Sequence, residues 1–449
     1  MGLQGSMAKS GAALDPQVGD KVLVTTKDNS EEGIMIPSPD KNVILIKLKS
    51  GYNIGFEKKL VTKVKVVEKA AEQSSVGVLV EKLSAKKSTL PTITILHTGG
   101  TIASKVDYRT GGVVAGFEPA ELIALFPELA GLAHIESELI AKMWSDDLRF
   151  EHFGLIAKAI EKQVKKGVRG IIIGMGTDNL AVAAAALSFI VENPPIPIIL
   201  VGSQRSSDRG SSDAAMNIVC ATKFILGSDY AGVALCMHES EEDTSCVVLP
   251  AGKTYKLHSS RRDAFKAVNT SAIARVEYST GLVSMVSTHY PKRGSSLMII
   301  RPKMEEKVGL LKIHINMFPE QFKAFEGFKG LVIEGTGLGH TPGQVPNDIC
   351  AIHKKFYPIL TKLIKSGCVV VMTTQCIFGG VNMNVYDKGR DLLELGVVPG
   401  EDMLANTALV KLSWLLANYD KKDAVKLIRE NLHGEISEKI SYDAKYVSF

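Results

Sequence analysis

The chain holds no apolar run approaching the roughly 18 to 20 residues that a membrane-spanning helix needs, so a helical membrane protein is excluded. Its opening, MGLQGSMAKSGAALDPQ, lacks both the charged and the apolar region of a secretory signal. MGLQGS precedes a second Met at position 7 and reads as an added leader; residues 1–15 are expected to be a disordered tail outside the fold. Cysteine is sparse: Cys220, Cys236, Cys246, Cys350, Cys368 and Cys376 are the full set, and no pair has CxxC spacing. Zinc ribbons and redox pairs are thereby excluded, and reduced thiols of a cytoplasmic protein remain as the expectation. Charge of one sign is scarce too, since a formal net charge of +5 over 449 residues attracts anionic partners only weakly. No basic stretch interleaved with aromatics marks a nucleic-acid surface. EKKLVTKVKVVEK mixes both signs and reads as a solvated face. Internal repeats and low-complexity tracts are absent.

What is present is ordinary globular material, 45% hydrophobic and 22% charged, in a chain long enough for two or three cored domains. Residues 16–69 carry the short β-rich runs DKVLVTT, EEGIMIPS, NVILIKL, YNIGF and VTKVKVV, separated by turn residues. Short strands at that density predict a small SH3-like β-barrel. Residues 70–91 read as a linker with room for one helical stretch. From residue 92 the pattern becomes strand, loop, helix: TITILHT, RGIIIGM, IPIILVGS, GVALCMH and CVVLPAG alternate with stretches such as FEHFGLIAKAIEKQVKKG and NLAVAAAALSFIVEN. This predicts a large, mostly parallel α/β sheet domain over 92–285, with functional loops at the carboxyl ends of its strands. Residues 286–308 break the alternation and read as an interdomain connection. A smaller α/β domain follows over 309–449, from GLLKIHIN through KGLVIEGTGLGH and GCVVVMTTQCIFGG to terminal helices.

Three loops in this pattern can carry chemistry. TITILHTGGTIAS ends a buried strand in Gly99-Gly100 and sets the hydroxyl of Thr101 there. Glycines allow a backbone N–H to approach a substrate atom closely, as an oxyanion hole needs; a tight strand-to-helix turn is the plainer alternative. GMGTDNL puts Gly176, Thr177 and Asp178 at another strand end, where Asp178 could equally cap the next helix. PAGKTYKLHSSRRDAF supplies Lys256. A threonine needs a neighbour to accept its proton, and a lysine does so when burial and nearby cations depress its pKa. Arg261 and Arg262 are close in sequence to Lys256, whose alternative is an exposed loop lysine. GKT at 252–254 resembles the tail of a P-loop, but Val247 occupies the position of the first glycine, so no nucleotide site is read there.

Taken in order, TITILHTGGTIAS, GTD and VGSQRSSDRGSSDAAMN resemble the asparaginase/glutaminase family, and GFKGLVIEGTGLGHTP with TTQCIFGGVNMNVY resembles the second domain of its type I branch. The likeness runs from about residue 92 to residue 435. It implies an asparaginase-like two-domain fold and a Thr that attacks a side-chain carboxamide, releases ammonia and leaves an acyl-enzyme for water. By position it implies Thr101 as nucleophile, with Thr177, Asp178 and Lys256 as the second catalytic group. It further implies Tyr108 as the mobile-loop tyrosine, Gly100 and Gly176 lining the substrate, and Ser145 and Asp146 on its α-carboxylate and α-amino groups. An N-cap role for Ser145 or Asp146, and a plain exposed loop for Tyr108, stay open. Met175 stands where the family commonly has His, and Asn179 where Thr is usual; both border the pocket.

The leading segment VGDKVLV…EGIMIP…VILIKLKSGYNIGF, with KLHSSRRDAF and GRDLLELGVVPGEDMLANTALVKL, resembles more narrowly the GatD family, one of the two components of archaeal-type glutamyl-tRNA(Gln) amidotransferases. That likeness implies a glutaminase component supplying ammonia to a partner, GatE, which uses ATP and Mg to convert Glu-tRNA(Gln) to Gln-tRNA(Gln). It implies a homodimer within a D2E2 heterotetramer, tRNA gripped mainly by the partner, Gln or Asn as small-molecule substrate, and no cofactor or metal on this chain. The alternatives are a free-standing L-asparaginase with an extra barrel and a non-catalytic tRNA-handling module.

Overall fold

The computed structural model describes residues 16–36, 38, 40–48, 53–69, 90–99, 104–107, 112–115, 127–205, 212–294 and 297–439. Residues 1–15, nearly all of the 70–91 segment, Gly100, Thr101, Tyr108 and residues 440–449 lie outside them. The chain divides into two compact units, the first built on residues 16–69 and the second on most of the remainder.

In the first unit, β1 (Lys21–Thr26), β2 (Ser30–Ile36), β3 (Val43–Leu48), β4 (Asn53–Glu57) and β5 (Val61–Glu68) form one sheet in the order β4-β3-β2-β1-β5. All of its pairings are antiparallel. Alternation along β1 puts Val22 and Val24 on one face, where they meet Ile46 in a small core ringed by Met35, Phe56, Val64 and Val66. Two register shifts between β1 and β5 add local twist, which lets the last strand return beside the first. The short pair β7 (Ser104–Asp107) and β8 (Gly112–Ala115) belongs largely to this unit, which separates it from the domain that its sequence position suggests.

The second unit starts with β6 (Thr92–His97). Its large sheet also uses β9 (His134–Leu139), β10 (Gly170–Gly174), β12 (Pro197–Val201), β13 (Gly232–His238), β14 (Ser245–Pro250), β17 (Ala274–Glu277) and β18 (Val283–Met285). The order is β18-β17-β14-β13-β12-β10-β6-β9. The run from β9 to β13 is parallel, and β14, β17 and β18 continue it as an antiparallel meander. Every residue of β10 and β12 is buried, as expected of central strands covered on both faces. The cover comes from α1 (Phe150–Lys165), α2 (Leu180–Ile190) and α3 (Ala214–Gly227). Helix α2 is apolar nearly all round and nearly all buried, so it belongs to the core and not to a surface.

Smaller pairs punctuate this unit: β11 (Val191–Glu192) with β19 (Ile299–Ile300), and β15 (Thr254–Lys256) with β16 (Phe265–Ala267). The former ties the connecting segment to the residues that directly follow α2. A second, parallel sheet then forms from β20 (Val308–Lys312), β21 (Gly330–Gly335), β22 (Val369–Thr374) and β23 (Val398–Pro399). Helices α4 (Glu320–Lys323), α5 (Phe356–Lys365), α6 (Asp387–Leu395), α7 (Ala405–Asn418) and α8 (Lys421–Leu427) accompany it. One apolar core runs from α1, α2 and β10 into Val332, Val369 and Trp414, so the two sheets share it. Phe189 of α2 stacks on Trp414 of α7 with ring centroids 5.9 Å apart. Among the described residues no helix is long and apolar enough to cross a membrane.

Candidate active site

The carboxyl ends of β6, β10 and β12 lie side by side, because these three strands are adjacent and parallel. Each hands its chain to a loop carrying hydroxyl or amide groups. After β6, Thr98 donates its N–H to the Gly174 carbonyl at 3.0 Å and accepts from Met143 N–H on its own carbonyl at 3.0 Å. Gly99 there has φ +99°, and a Cβ on it would lie 2.7 Å from the Met143 carbonyl oxygen. Backbone conformation and space both demand glycine at that position.

After β10 the chain continues through buried Met175, whose N–H reaches the Val201 carbonyl at 3.1 Å, to Gly176, Thr177 and Asp178. Gly176 is a close-approach glycine, since a Cβ would stand 2.7 Å from Ser145 Oγ. That oxygen accepts the N–H groups of Asp178 (3.1 Å) and Asn179 (3.4 Å), in the turn just ahead of α2. Asn179 returns the contact, its Nδ2 donating to the Ser145 carbonyl at 2.8 Å. Ser145 thus braces the turn into α2 from a separate loop, and Asn179 adds a third bond between the two.

Lys256 closes the site. Its Nζ lies 2.9 Å from Thr177 Oγ1 and 2.9 Å from Asp178 Oδ1. The lysine side chain is only 16% exposed while the aspartate is 70% exposed, so one face of the pair is open to an incoming ligand. Strand β15 places Lys256 opposite Phe265 of β16. A cavity of about 190 Å³ opens beside the pair, lined by Asp178, Val182, Tyr255, Lys256, Asn406 and Thr407 among others.

The segment bearing Lys256 is held from the side of the second sheet. Lys253, 2% exposed, forms an ion pair with equally buried Asp402, whose other oxygen accepts Ser437 N–H at 2.9 Å. Burial pushes the Lys253 pKa down, and the Asp402 hydrogen bond and charge push it back up. Thr407 Oγ1 donates to the Gly252 carbonyl at 2.9 Å. The GKT run that resembles a P-loop tail is therefore an interdomain clamp.

The loop after β12 is organised by Asp213, which is fully buried at the start of α3. Its carboxylate accepts Ser203 Oγ (2.8 Å) and the N–H groups of Gln204 (3.0 Å) and Arg205 (3.1 Å), while Asn217 Nδ2 bonds the Gly202 carbonyl at 3.0 Å. Gln204 is thereby turned toward Thr177, its Oε1 3.5 Å from Thr177 Oγ1.

Of the residues singled out in the sequence, Gly176, Thr177, Asp178, Ser145 and Lys256 converge in space. Asp146 sits exposed on the adjoining turn. Gly100, Thr101 and Tyr108 lie outside the described residues. One expectation is corrected. Arg261 and Arg262 do not serve as free cations near Lys256: Arg261 binds Asp263 at 2.8 Å and Arg262 binds Asp243 at 2.6 Å, so carboxylates neutralise both. Gln204, Asp213, Asn406 and Thr407 escaped sequence reasoning. The strand-end position of VGSQ, matching TGGT and GMGTD, was the one signal available for Gln204. Among the described residues no cluster of His, Cys, Asp or Glu is arranged to hold a metal ion.

Comparisons with known proteins place the fold. Residues 92–288 match the family model "Asparaginase, N-terminal" and residues 307–428 match "Glutaminase/Asparaginase C-terminal domain". The L-asparaginase of Thermococcus kodakarensis is similar over 78% of this chain and 100% of its own, with 29% identity and a TM-score of 0.67. L-asparaginase I of Vibrio cholerae covers the same shares at 25% identity and TM-score 0.65. The fold is thus of the asparaginase/glutaminase class. Residues 16–67 match the "GatD N-terminal domain". The GatD component of the Pyrococcus furiosus glutamyl-tRNA(Gln) amidotransferase is 42% identical over 94% of this chain and 95% of its own length. Its Methanococcus maripaludis counterpart is 40% identical over 95% and 99%. The chain belongs to the GatD family of glutamyl-tRNA(Gln) amidotransferases.

Proposed function

We propose that this chain is the ammonia-producing amidase of a tRNA-dependent amidotransferase, hydrolysing the side-chain carboxamide of Gln or Asn. The observation that carries the reading is the single position of Lys256 Nζ, 2.9 Å from both Thr177 Oγ1 and Asp178 Oδ1, at the carboxyl ends of parallel strands. A hydroxyl oxygen, Thr101 as nucleophile, bonds to the carboxamide carbon while its proton passes through Thr177 to Lys256 in its amine form. The C–N bond then breaks, the nitrogen takes that proton back from Lys256 through Thr177, and ammonia leaves an acyl-threonine. Water attacks that ester, the product carboxylate departs, and the hydroxyl is restored. Asp178 holds Lys256 and meets the substrate α-ammonium; Gly100, Gly176, Ser145, Asp146 and Tyr108 complete the substrate's surroundings.

Ammonia passes to the partner GatE, which spends ATP with Mg²⁺ to activate the Glu of Glu-tRNA(Gln), giving Gln-tRNA(Gln). The assembly is a D2E2 heterotetramer in the cytoplasm, with tRNA held mainly by the partner. Full-length likeness to GatD proteins, barrel included, supports this over a free-standing asparaginase. The test is co-expression with a candidate GatE and a Gln-dependent assay for Gln-tRNA(Gln). Thr101→Ala and Thr177→Ala should each abolish ammonia release, and mass spectrometry of trapped protein should find the acyl group on one of the two. Rapid Asn turnover by the isolated chain, with no gain from partner and charged tRNA, would favour the free asparaginase instead.

A further inference from the structure

Gln204 is a polar side chain beside Thr177 to which the proposed reaction gives no role. Its backbone is fixed by the Asp213 carboxylate, and Gly202, two residues earlier, packs so closely that a Cβ there would lie 2.8 Å from Thr177 Cγ2. Gln204 Oε1 faces the Thr177 hydroxyl at 3.5 Å, which is at the outer limit of a hydrogen bond. Its Nε2 is buried and has no hydrogen-bond partner among the described residues. Buried amide donors are rarely left unmade, because the lost hydration is not replaced. A donor in that condition, beside the hydroxyl proposed to relay the proton, points to a ligand atom that completes it.

We infer that Gln204 is a specificity-determining residue whose side-chain amide pairs with the scissile carboxamide of the substrate and distinguishes it from the carboxylate product. A carboxamide offers one oxygen acceptor and N–H donors; the Gln204 amide offers the complementary N–H donors and oxygen acceptor. The two fit in a reciprocal pair, and rotation of the Gln204 amide presents the same set in either sense. A carboxylate has only acceptors. One of its oxygens would meet Nε2, but the other would be set against Oε1, so product binding loses a hydrogen bond and gains a repulsion. Such a site expels product after each turnover.

This inference rests on the amidase reading above, and one experiment separates the two. Full-length protein co-expressed with GatE is assayed for ammonia release from Gln, with Glu as competitive inhibitor. Gln204→Met keeps the volume and removes the amide. Its KM for Gln should rise about tenfold, the effect of one good hydrogen bond left unmade, while kcat and the inhibition constant for Glu each move less than threefold. Should Q204M fail to fold, the neutral Gln204→Leu carries the same test, with the same collapse of the ratio between Glu inhibition and Gln KM. Equal movement of both constants, or movement of neither, would overturn the inference while leaving the amidase intact. No ammonia from the unsubstituted complex would overturn both.

Discussion

Replacing Asp402 with Asn strands a lysine. Lys253 and Asp402 are 2% and 3% exposed, so the ammonium has little water to fall back on once its counter-ion is gone. Asn keeps the oxygen that accepts Ser437 N–H, which confines the perturbation to charge. Removing one member of a buried pair costs about 3–5 kcal/mol, a large part of the roughly 5–15 kcal/mol that holds a domain together. At about 2–4 °C per kcal/mol for a large domain, Tm should fall by on the order of 10 °C. The pH dependence follows from Lys253. Burial already holds its folded pKa below the ordinary 10.5, and loss of Asp402 removes the main opposing influence. Between the folded pKa and 10.5 the unfolded chain binds a proton that the fold does not, so stability rises with pH across that window. The deficit of D402N should therefore shrink as pH climbs toward 10.5. Lys253→Met with D402N removes both charges and should recover more than half the loss. Because Lys256 lies three residues beyond Lys253, ammonia release should fall with D402N and recover in the double variant. Urea denaturation at pH 7 and pH 10 is the assay. A D402N protein within about 1 kcal/mol of the parent, with no recovery in the double variant, would refute the reasoning.

Other outcomes follow from the same geometry. Gly176→Ala drives a methyl to 2.7 Å from Ser145 Oγ; overpacking should cost about 1–3 kcal/mol, seen in denaturation, and lower ammonia release by spreading the two loops. Ser145→Ala leaves two part-buried N–H groups of the turn ahead of α2 without their acceptor and should cost about 1–3 kcal/mol, with a higher KM as Asp178 loosens. Burial raises the Asp263 pKa, but hydrogen bonds from Arg261 and the nearby Lys266 outweigh it and leave it at about 2, below the ordinary 3.8. Its stabilising contribution is present above pH 3.8 and is lost as pH falls toward about 2, so Asp263→Asn should flatten the acid limb of a urea-denaturation profile.

Much of the architecture was legible because burial and backbone geometry leave local marks. Short β-branched apolar runs such as GIIIG and PIILV mark central strands, and the longer, almost wholly apolar LAVAAAALSFI marks a buried helix. Gly99 and Gly176 announced positions where no side chain fits. Proximity in sequence misled at Arg261 and Arg262, since carboxylates from Asp243 and Asp263 claim them. The GKT run gave no hint of its use, because Asp402 lies 149 residues away.

The sequence by itself determined the strand-and-helix order and the strand-end placement of Thr177 and Asp178, since pattern and propensity act over a few residues. Only the tertiary structure decided that Lys256 meets both of them, that Ser145 braces the turn into α2, and that Gln204 faces Thr177 with an unspent donor. Those are contacts between segments 27 to 79 residues apart, and at such separations it is the packing of neighbouring strands, not local preference, that brings groups within hydrogen-bonding reach.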